Sequence, residues 1–401
     1  MKYDFNKIIN RENTNAKAID IDPIENVEIK EGFNKIPMWV ADMNFETAPS
    51  ILEEINKRNS HPLFGYFIIP KEYYSSIIYW QEKRNNVKNL KEENIGYENG
   101  VLGGLSTVLR ALASRGDNIL VHSPTYVGFS RVLKNNGYNM ILSNLYLDKD
   151  NIWRMDYEDM EKKITDNNIH IAIFCSPHNP SGRVWEREEL EKCYEIFRKH
   201  NVYVISDEIW SDFILFGNTH IPSQSINEDA KNRTISLYAP SKTFNLAGLV
   251  GSYHIIYNEY LKYKVEREAS LTFYNNPNIF SVASLIGAYN EEGAQWVDEL
   301  VLTLEKNINY GYNFIKGNWK DIEVSKPQGT YLLYLNLEKY LEKNNISLDE
   351  VLKNGASYGV MWQDGRGFNF DNTIRMNLAL PFDLVVEAFD RLDRFVFNPG
   401  K

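Results

Sequence analysis

Cysteine is scarce, long apolar runs are missing and basic charge is in deficit, and each shortage removes a class of protein. Two cysteines, Cys175 and Cys193, support neither a disulfide framework nor a zinc cluster, so no metal site is expected. Both fall in apolar segments and read as buried small residues. No apolar stretch approaches the roughly 20 residues that cross a bilayer. The segment Met1-Lys2-Tyr3-Asp4-Phe5-Asn6-Lys7 lacks the apolar core of a secretory signal, and a soluble, cytoplasmic protein is expected. Lys and Arg number 44 against 54 Asp and Glu, a net charge of -10, which makes nucleic acid or an anionic membrane a poor partner. Small-molecule substrates stay open.

What is present suits a large globular protein. Hydrophobic residues make up 43% and aromatic residues 13%, and 401 residues suit one large domain and a smaller one. There is no internal repeat or low-complexity tract, and asparagine-rich patches such as Asn275-Asn276-Pro277-Asn278 are turn chemistry. Between Asn118 and Ile256 short apolar runs alternate with amphipathic stretches, the pattern of an α/β fold with a mostly parallel sheet between helices. Strands are predicted at Asn118 to His122, Met140 to Ser143, His170 to Cys175, Val202 to Ser206, Thr234 to Tyr238 and Ser252 to Ile256. Glu186 to His200 has helical spacing, with Leu190, Cys193, Tyr194 and Phe197 on a core face. A smaller α+β unit is predicted from the helical segment Glu292 to Asn318 onward, with strands at Tyr331 to Leu337 and Thr373 to Ala379. The N-terminal arm is expected to join it, which divides the chain into 46–285 and 1–45 with 286–401. Glu342 to Asn345 reads as a polar connection.

Chemistry concentrates where three of these apolar runs end. Lys242 lies in Ala239-Pro240-Ser241-Lys242-Thr243-Phe244-Asn245, a small-residue turn after Thr234 to Tyr238, where it can form a Schiff base. Asp207 closes Val202 to Asp207, and Asn179 follows His170 to Phe174 in Cys175-Ser176-Pro177-His178-Asn179-Pro180-Ser181-Gly182. Open α/β sheets hold their ligands at such strand ends, so all three aim at one crevice. Pyridoxal phosphate requires this set, because its ring is an electron sink only while the ring nitrogen stays protonated. Asp207 supplies the counter-charge; an ion pair at about 4 Å is worth on the order of 4 kcal/mol, roughly three pKa units. Lys242 is the attachment point and then the base at the substrate Cα, and Asn179 can donate to the ring's phenolate oxygen. Arg375 sits in a predicted strand, an odd place for a cation unless it is paired or grips a substrate α-carboxylate.

With these residues in place the chain resembles fold-type I pyridoxal-phosphate enzymes of the class I/II aminotransferase superfamily. It is similar in particular to the MalY/PatB-type carbon-sulfur lyases, whose activity is that of a cystathionine β-lyase. The motifs are Pro37-Met38-Trp39-Val40-Ala41-Asp42-Met43, Phe64-Gly65-Tyr66, Ser176 to Trp185, Ser206-Asp207-Glu208-Ile209, Ala239 to Asn245, Gly329-Thr330-Tyr331 and Ile374-Arg375-Met376-Asn377. Their order spans nearly the whole chain.

The resemblance implies further roles. Glu98-Asn99-Gly100-Val101-Leu102-Gly103-Gly104 would grip the cofactor phosphate through Val101 and Leu102 at the start of a helical run, Leu105 to Ala113, with Ser241 adding a hydroxyl. Tyr66 would reach the phosphate from the other subunit of a homodimer. Tyr126 would stack on the pyridine ring, and Asn179 would join Arg375 at the substrate carboxylate. Trp210 stands where relatives carry tyrosine or histidine beside the ring oxygen, and an indole donates but does not accept. Val250 replaces the usual phosphate-binding arginine, Val127 a second tyrosine, and Ala18-Ile19 a lysine-tryptophan pair. These departures surround the substrate and leave the lysine, aspartate and asparagine in place. The leading expectation is a carbon-sulfur β-lyase. An aminotransferase is the alternative, and a catalytically silent regulatory member the third.

Overall fold

The computed structural model describes residues 2–272 and 275–400. A short first strand, β1 (Ile36–Pro37), precedes eight that share one sheet: β2 (Ile95–Glu98), β3 (Asn118–Ser123), β4 (Asn139–Leu147), β5 (Trp153–Met155), β6 (Ile171–Cys175), β7 (Tyr203–Asp207), β8 (Thr234–Tyr238) and β9 (Ser252–Ile255). Their spatial order is β2-β9-β8-β7-β6-β3-β4-β5. The central strands β4, β3, β6, β7 and β8 run parallel, while β5 and β9 are antiparallel to their neighbours. Both β6 and β8 are buried at every position, as strands covered by helices on two faces must be. That double burial is why they read as unbroken apolar runs.

The predicted strands are all present, with ends shifted by a residue or two and β4 extended to Leu147. Helix Arg187–Lys199 lies one residue inside its predicted ends, because Glu186 and Glu189 close a capping box at its start. Its predicted core face is buried throughout. Sheet order reverses between β3 and β6, and this switch opens a crevice at the strands' C-terminal ends.

The long helix Glu291–Asn318 leads to β10 (Glu323–Val324), β11 (Leu332–Asn336), β12 (Val360–Met361), β13 (Gln363–Asp364) and β14 (Thr373–Asn377). Four of these form an antiparallel sheet in the order β10-β11-β14-β13. β1 pairs in parallel with β12, so the N-terminal arm does return to the C-terminal part. The stretch read as a polar connection differs: Glu342 to Asn344 are the end of helix Glu338–Asn344. A single buried apolar anchor, Leu341, holds that helix, and Asn345 ends it at φ 51°. Among the described residues no helix is long and apolar enough to cross a membrane.

Candidate active site

Register brings three strand ends level. Cys175 of β6 is the Cα partner of Asp207 in β7, and Asp207 is in turn the partner of Leu237 in β8. Asn179 follows β6 by one turn, Asp207 ends β7, and Lys242 rides on the short helix Pro240–Thr243 just past β8. All three line one cleft of about 250 Å³. Val101, Leu102, Tyr126, Trp210 and Ser241 line it as well.

Burial governs the charges here. Lys242 Nζ donates to the carbonyl of Ala41 at 2.7 Å and lies 5.7 Å from the centre of the Trp210 ring. Burial, helped by the Arg375 charge and opposed by Asp42 and Asp207, pushes its amine down to about 8. An amine so lowered is unprotonated, and therefore nucleophilic, at modestly alkaline pH. Asp207 is raised to about 7, again chiefly by burial, with the Ile209 N-H at 3.1 Å and Lys242 acting against the rise. A cation placed against that carboxylate restores its ionisation.

Arg375 enters from β14. Its Nη1 donates to Asn179 Oδ1 at 3.1 Å and its Nη2 to the Trp39 carbonyl at 3.0 Å, and the guanidinium lies over Phe368 at 4.8 Å. Burial brings it down to about 10, opposed by the phenols of Tyr126, Tyr331 and Tyr334, and no carboxylate pairs with it among the described residues. The structural salt bridge considered for this arginine is therefore not found among the described residues. Its fork is held by neutral acceptors, with Nε left buried and unpartnered.

At the opposite end the helix begins earlier than expected. It runs Val101–Leu112 after Gly100 at φ 73°, so Gly103 and Gly104 are helical and not part of the preceding turn. Packing explains the glycine: a Cβ on Gly104 would lie 3.0 Å from both Glu98 Cγ and Leu237 Cδ2. A side chain there would force Glu98 and Leu237 to give way. The consequence favours phosphate binding, because the unpaired N-H groups of the first turn are those of residues that line the cleft. Val250, also in the cleft, is held at φ 42°, unusual for a β-branched residue, and its carbonyl accepts from Ser281 Oγ at 2.8 Å and from Tyr97 Oη at 3.2 Å.

Tyr126 packs edge-on against Phe129, and Gly128 makes room for its ring: a Cβ there would fall 2.4 Å from Tyr126 Cε1. Tyr66 is not brought to this cleft; it is fully exposed in a stretch with Leu63, Phe64 and Ile68. Ala18 accepts from Trp39 Nε1 at 3.1 Å, which carries the N-terminal segment to the same region. Sequence reasoning missed Ala41, Ile209, Ala247 and Gly251 as cleft residues. Ala41 lay in a motif already singled out, but its contribution is a backbone carbonyl, which no side-chain pattern reports.

The donor set fits pyridoxal phosphate group by group: helix N-H groups and Ser241 for a phosphate, Asp207 for a ring nitrogen, Asn179 for a ring oxygen and Lys242 for an aldehyde. Fold and cleft together thus define a class, the pyridoxal-phosphate-dependent enzymes of fold type I. Within that class the chain belongs to the aminotransferase class I and II family, whose model matches residues 34–392. It is 35% identical over 340 residues to the cystathionine β-lyase PatB of Bacillus subtilis, covering 83% of this chain and 86% of that one. An aspartate aminotransferase of Bacillus sp. strain YM-2 is 28% identical over 319 residues, with 78% and 79% covered. The pyridoxal-phosphate-bound C-S lyase of Staphylococcus hominis superposes with a TM-score of 0.87 at 30% identity, covering 98% of each chain.

Proposed function

We propose that this chain is a pyridoxal-phosphate-dependent carbon-sulfur β-lyase that converts sulfur amino acids to a thiol, pyruvate and ammonia. The observation that carries it is the meeting of Lys242, Asp207 and Asn179 at the level ends of three adjacent parallel strands. The likeness to PatB and to the S. hominis lyase favours sulfur elimination.

Bound at Lys242, pyridoxal phosphate supplies the electron sink that lets a carbanion form at the substrate Cα. Lys242, freed as an amine, takes the Cα proton. Asp207 would hold its charge against the ring nitrogen, and Tyr126 would cover the ring face. Arg375 receives the α-carboxylate. Because Asn179 accepts from Arg375 through Oδ1, its Nδ2 is the atom that would donate to the ring oxygen of the bound cofactor. Trp210, which lines the same cleft, could add a donor there, while Val101, Leu102 and Ser241 would hold the phosphate. Breaking the Cβ-S bond releases a thiolate and an enamine, and one water hydrolyses the enamine to pyruvate and ammonia.

We read 46–285 as the cofactor-binding body and 1–45 with 286–401 as the smaller body that supplies Arg375. We also propose a cytoplasmic homodimer in which Tyr66 completes the neighbouring phosphate site. The exposed apolar stretch around Tyr66 and two unpaired, buried cysteines support this. Purified protein given L-cystathionine or L-cysteine should release pyruvate and thiol. Finding neither, with the bound aldehyde converted to its amine form, would favour the second reading, an aminotransferase, which the aspartate aminotransferase relative supports. The two differ by barriers in which about 1.4 kcal/mol is tenfold in rate.

A further inference from the structure

Tyr331, from the motif Gly329-Thr330-Tyr331, plays no part in the chemistry above, yet its hydroxyl is the most conspicuous unpaired group beside the cleft. The residue is wholly buried. Its ring meets Trp210 edge-on with centroids 4.8 Å apart and Phe213 at 5.2 Å. The same Trp210 ring lies by Lys242 and lines the cleft, so Tyr331 stands one ring away from the reacting region. Its Oη has no hydrogen-bond partner among the described residues. An unsatisfied buried hydroxyl is destabilising, whereas phenylalanine would pack against the same rings without that cost.

Arg375 Nε is likewise buried and unpartnered, and Arg375 and Tyr331 lie in each other's electrostatic field. Asp42, the acid whose charge also acts on Tyr331, already has both oxygens on Arg11, at 3.4 and 2.6 Å. Two neighbouring donors without acceptors, one charged and one neutral, suit an acceptor with two oxygens and a negative charge. Resting on the reading of Arg375 as the carboxylate receptor, we propose that Tyr331 is a second substrate-binding residue, donating its phenol O-H to the α-carboxylate. Burial keeps the phenol well above its ordinary range, so it remains a donor at every working pH.

The test is Tyr331→Phe, loaded with pyridoxal phosphate and titrated with L-alanine and with ethylamine, which lacks the carboxylate. Binding is followed by the change in cofactor absorbance, so the result does not depend on whether sulfur is eliminated or an amino group transferred. L-alanine should bind about tenfold more weakly than to the parent protein, ethylamine within twofold of it, and the melting temperature should not fall. Unchanged affinity for L-alanine, or equal weakening for both ligands, overturns the proposal.

Discussion

Lys242 and Ala41, far apart in sequence, are joined by a hydrogen bond of 2.7 Å from the amine to the backbone carbonyl. The contact belongs to a larger arrangement around residues 39–43. Asn245 brackets Met43 with both ends of its amide, at 2.8 and 3.0 Å. Asn377 Nδ2 donates to the carbonyls of Val40 and Asp42 at 2.7 and 2.6 Å, and Arg375 holds Trp39. Residues just past β8 and residues of β14 therefore grip the same five-residue segment, which couples the lysine's position to the arginine's.

The lysine itself gives the first prediction. Lys242→Ala should retain no cofactor after borohydride treatment and unfolding, and turnover should fall by at least about a thousandfold, the scale of losing a positioned base. In the parent protein, with the amine lowered to about 8, cofactor uptake should accelerate with pH up to about 8 and level off above it. Stopped-flow absorbance measures this. An uptake rate still climbing steeply above pH 9 would show that the amine is not depressed.

Asp207 gives a stability prediction with a definite sign. In the cofactor-free protein its carboxyl is raised from an ordinary 3.8 to about 7, so between those values the folded state binds more protons than the unfolded one. Its contribution to stability is thus whole below about 4 and is lost as pH rises toward 7. The loss is at most on the order of 4 kcal/mol, from about three pKa units. Asp207→Asn should remove this dependence and be more stable than the parent at pH 8, with little difference at pH 4, by urea unfolding. It should also lose activity, since a neutral amide cannot hold a pyridinium. A variant less stable than the parent at pH 8 would contradict the burial argument.

Much of this was legible beforehand, for a physical reason. Strands buried on both faces, such as β6 and β8, read as apolar runs, and the residues at their ends are fixed in direction by the parallel sheet. Asn179, Asp207 and Lys242 were therefore readable as a set. The start of helix Val101–Leu112 was not, because Gly103 and Gly104 look like a turn until the packing of Gly104 on Glu98 and Leu237 is seen. Helix Glu338–Asn344 is polar except for Tyr340 and its anchor Leu341 and carries little periodic signal. Ala41's carbonyl and the orphan hydroxyl of Tyr331 arise from three-dimensional placement and leave no mark in composition or spacing.

Gly128 should act through Tyr126. A methyl there would lie 2.4 Å from Tyr126 Cε1 and 2.9 Å from Leu102 Cδ1, and both residues line the cleft. Gly128→Ala must displace one of them, at about 1–3 kcal/mol for overpacking. The expected result is pyridoxal phosphate binding weakened by about tenfold, read by absorbance titration, with the lysine attachment intact. Unchanged affinity would mean that the ring of Tyr126 is free to move and does not shape the cleft.

The last prediction concerns the exposed stretch around Tyr66. Leu63, Phe64 and Ile68 are 69%, 56% and 91% exposed, and beside them Phe67, Ile68, Ile279 and Val282 line an apolar groove of about 510 Å³. On the dimer reading, this contiguous apolar surface is where the two chains meet. An aspartate at its centre must be desolvated if two chains meet there, a penalty of several kcal/mol even with Lys57 and Arg58 lining the same groove. Ile68→Asp should therefore reduce the solution mass, measured by light scattering, to that of a single 46.7 kDa chain, and weaken cofactor binding because the partner's tyrosine is lost. Tyr66→Phe should leave the mass unchanged and weaken only the cofactor, since it removes a hydroxyl and no apolar area. If Ile68→Asp keeps the parent's mass, or if Tyr66→Phe binds cofactor as tightly as the parent, Tyr66 does not cross between subunits.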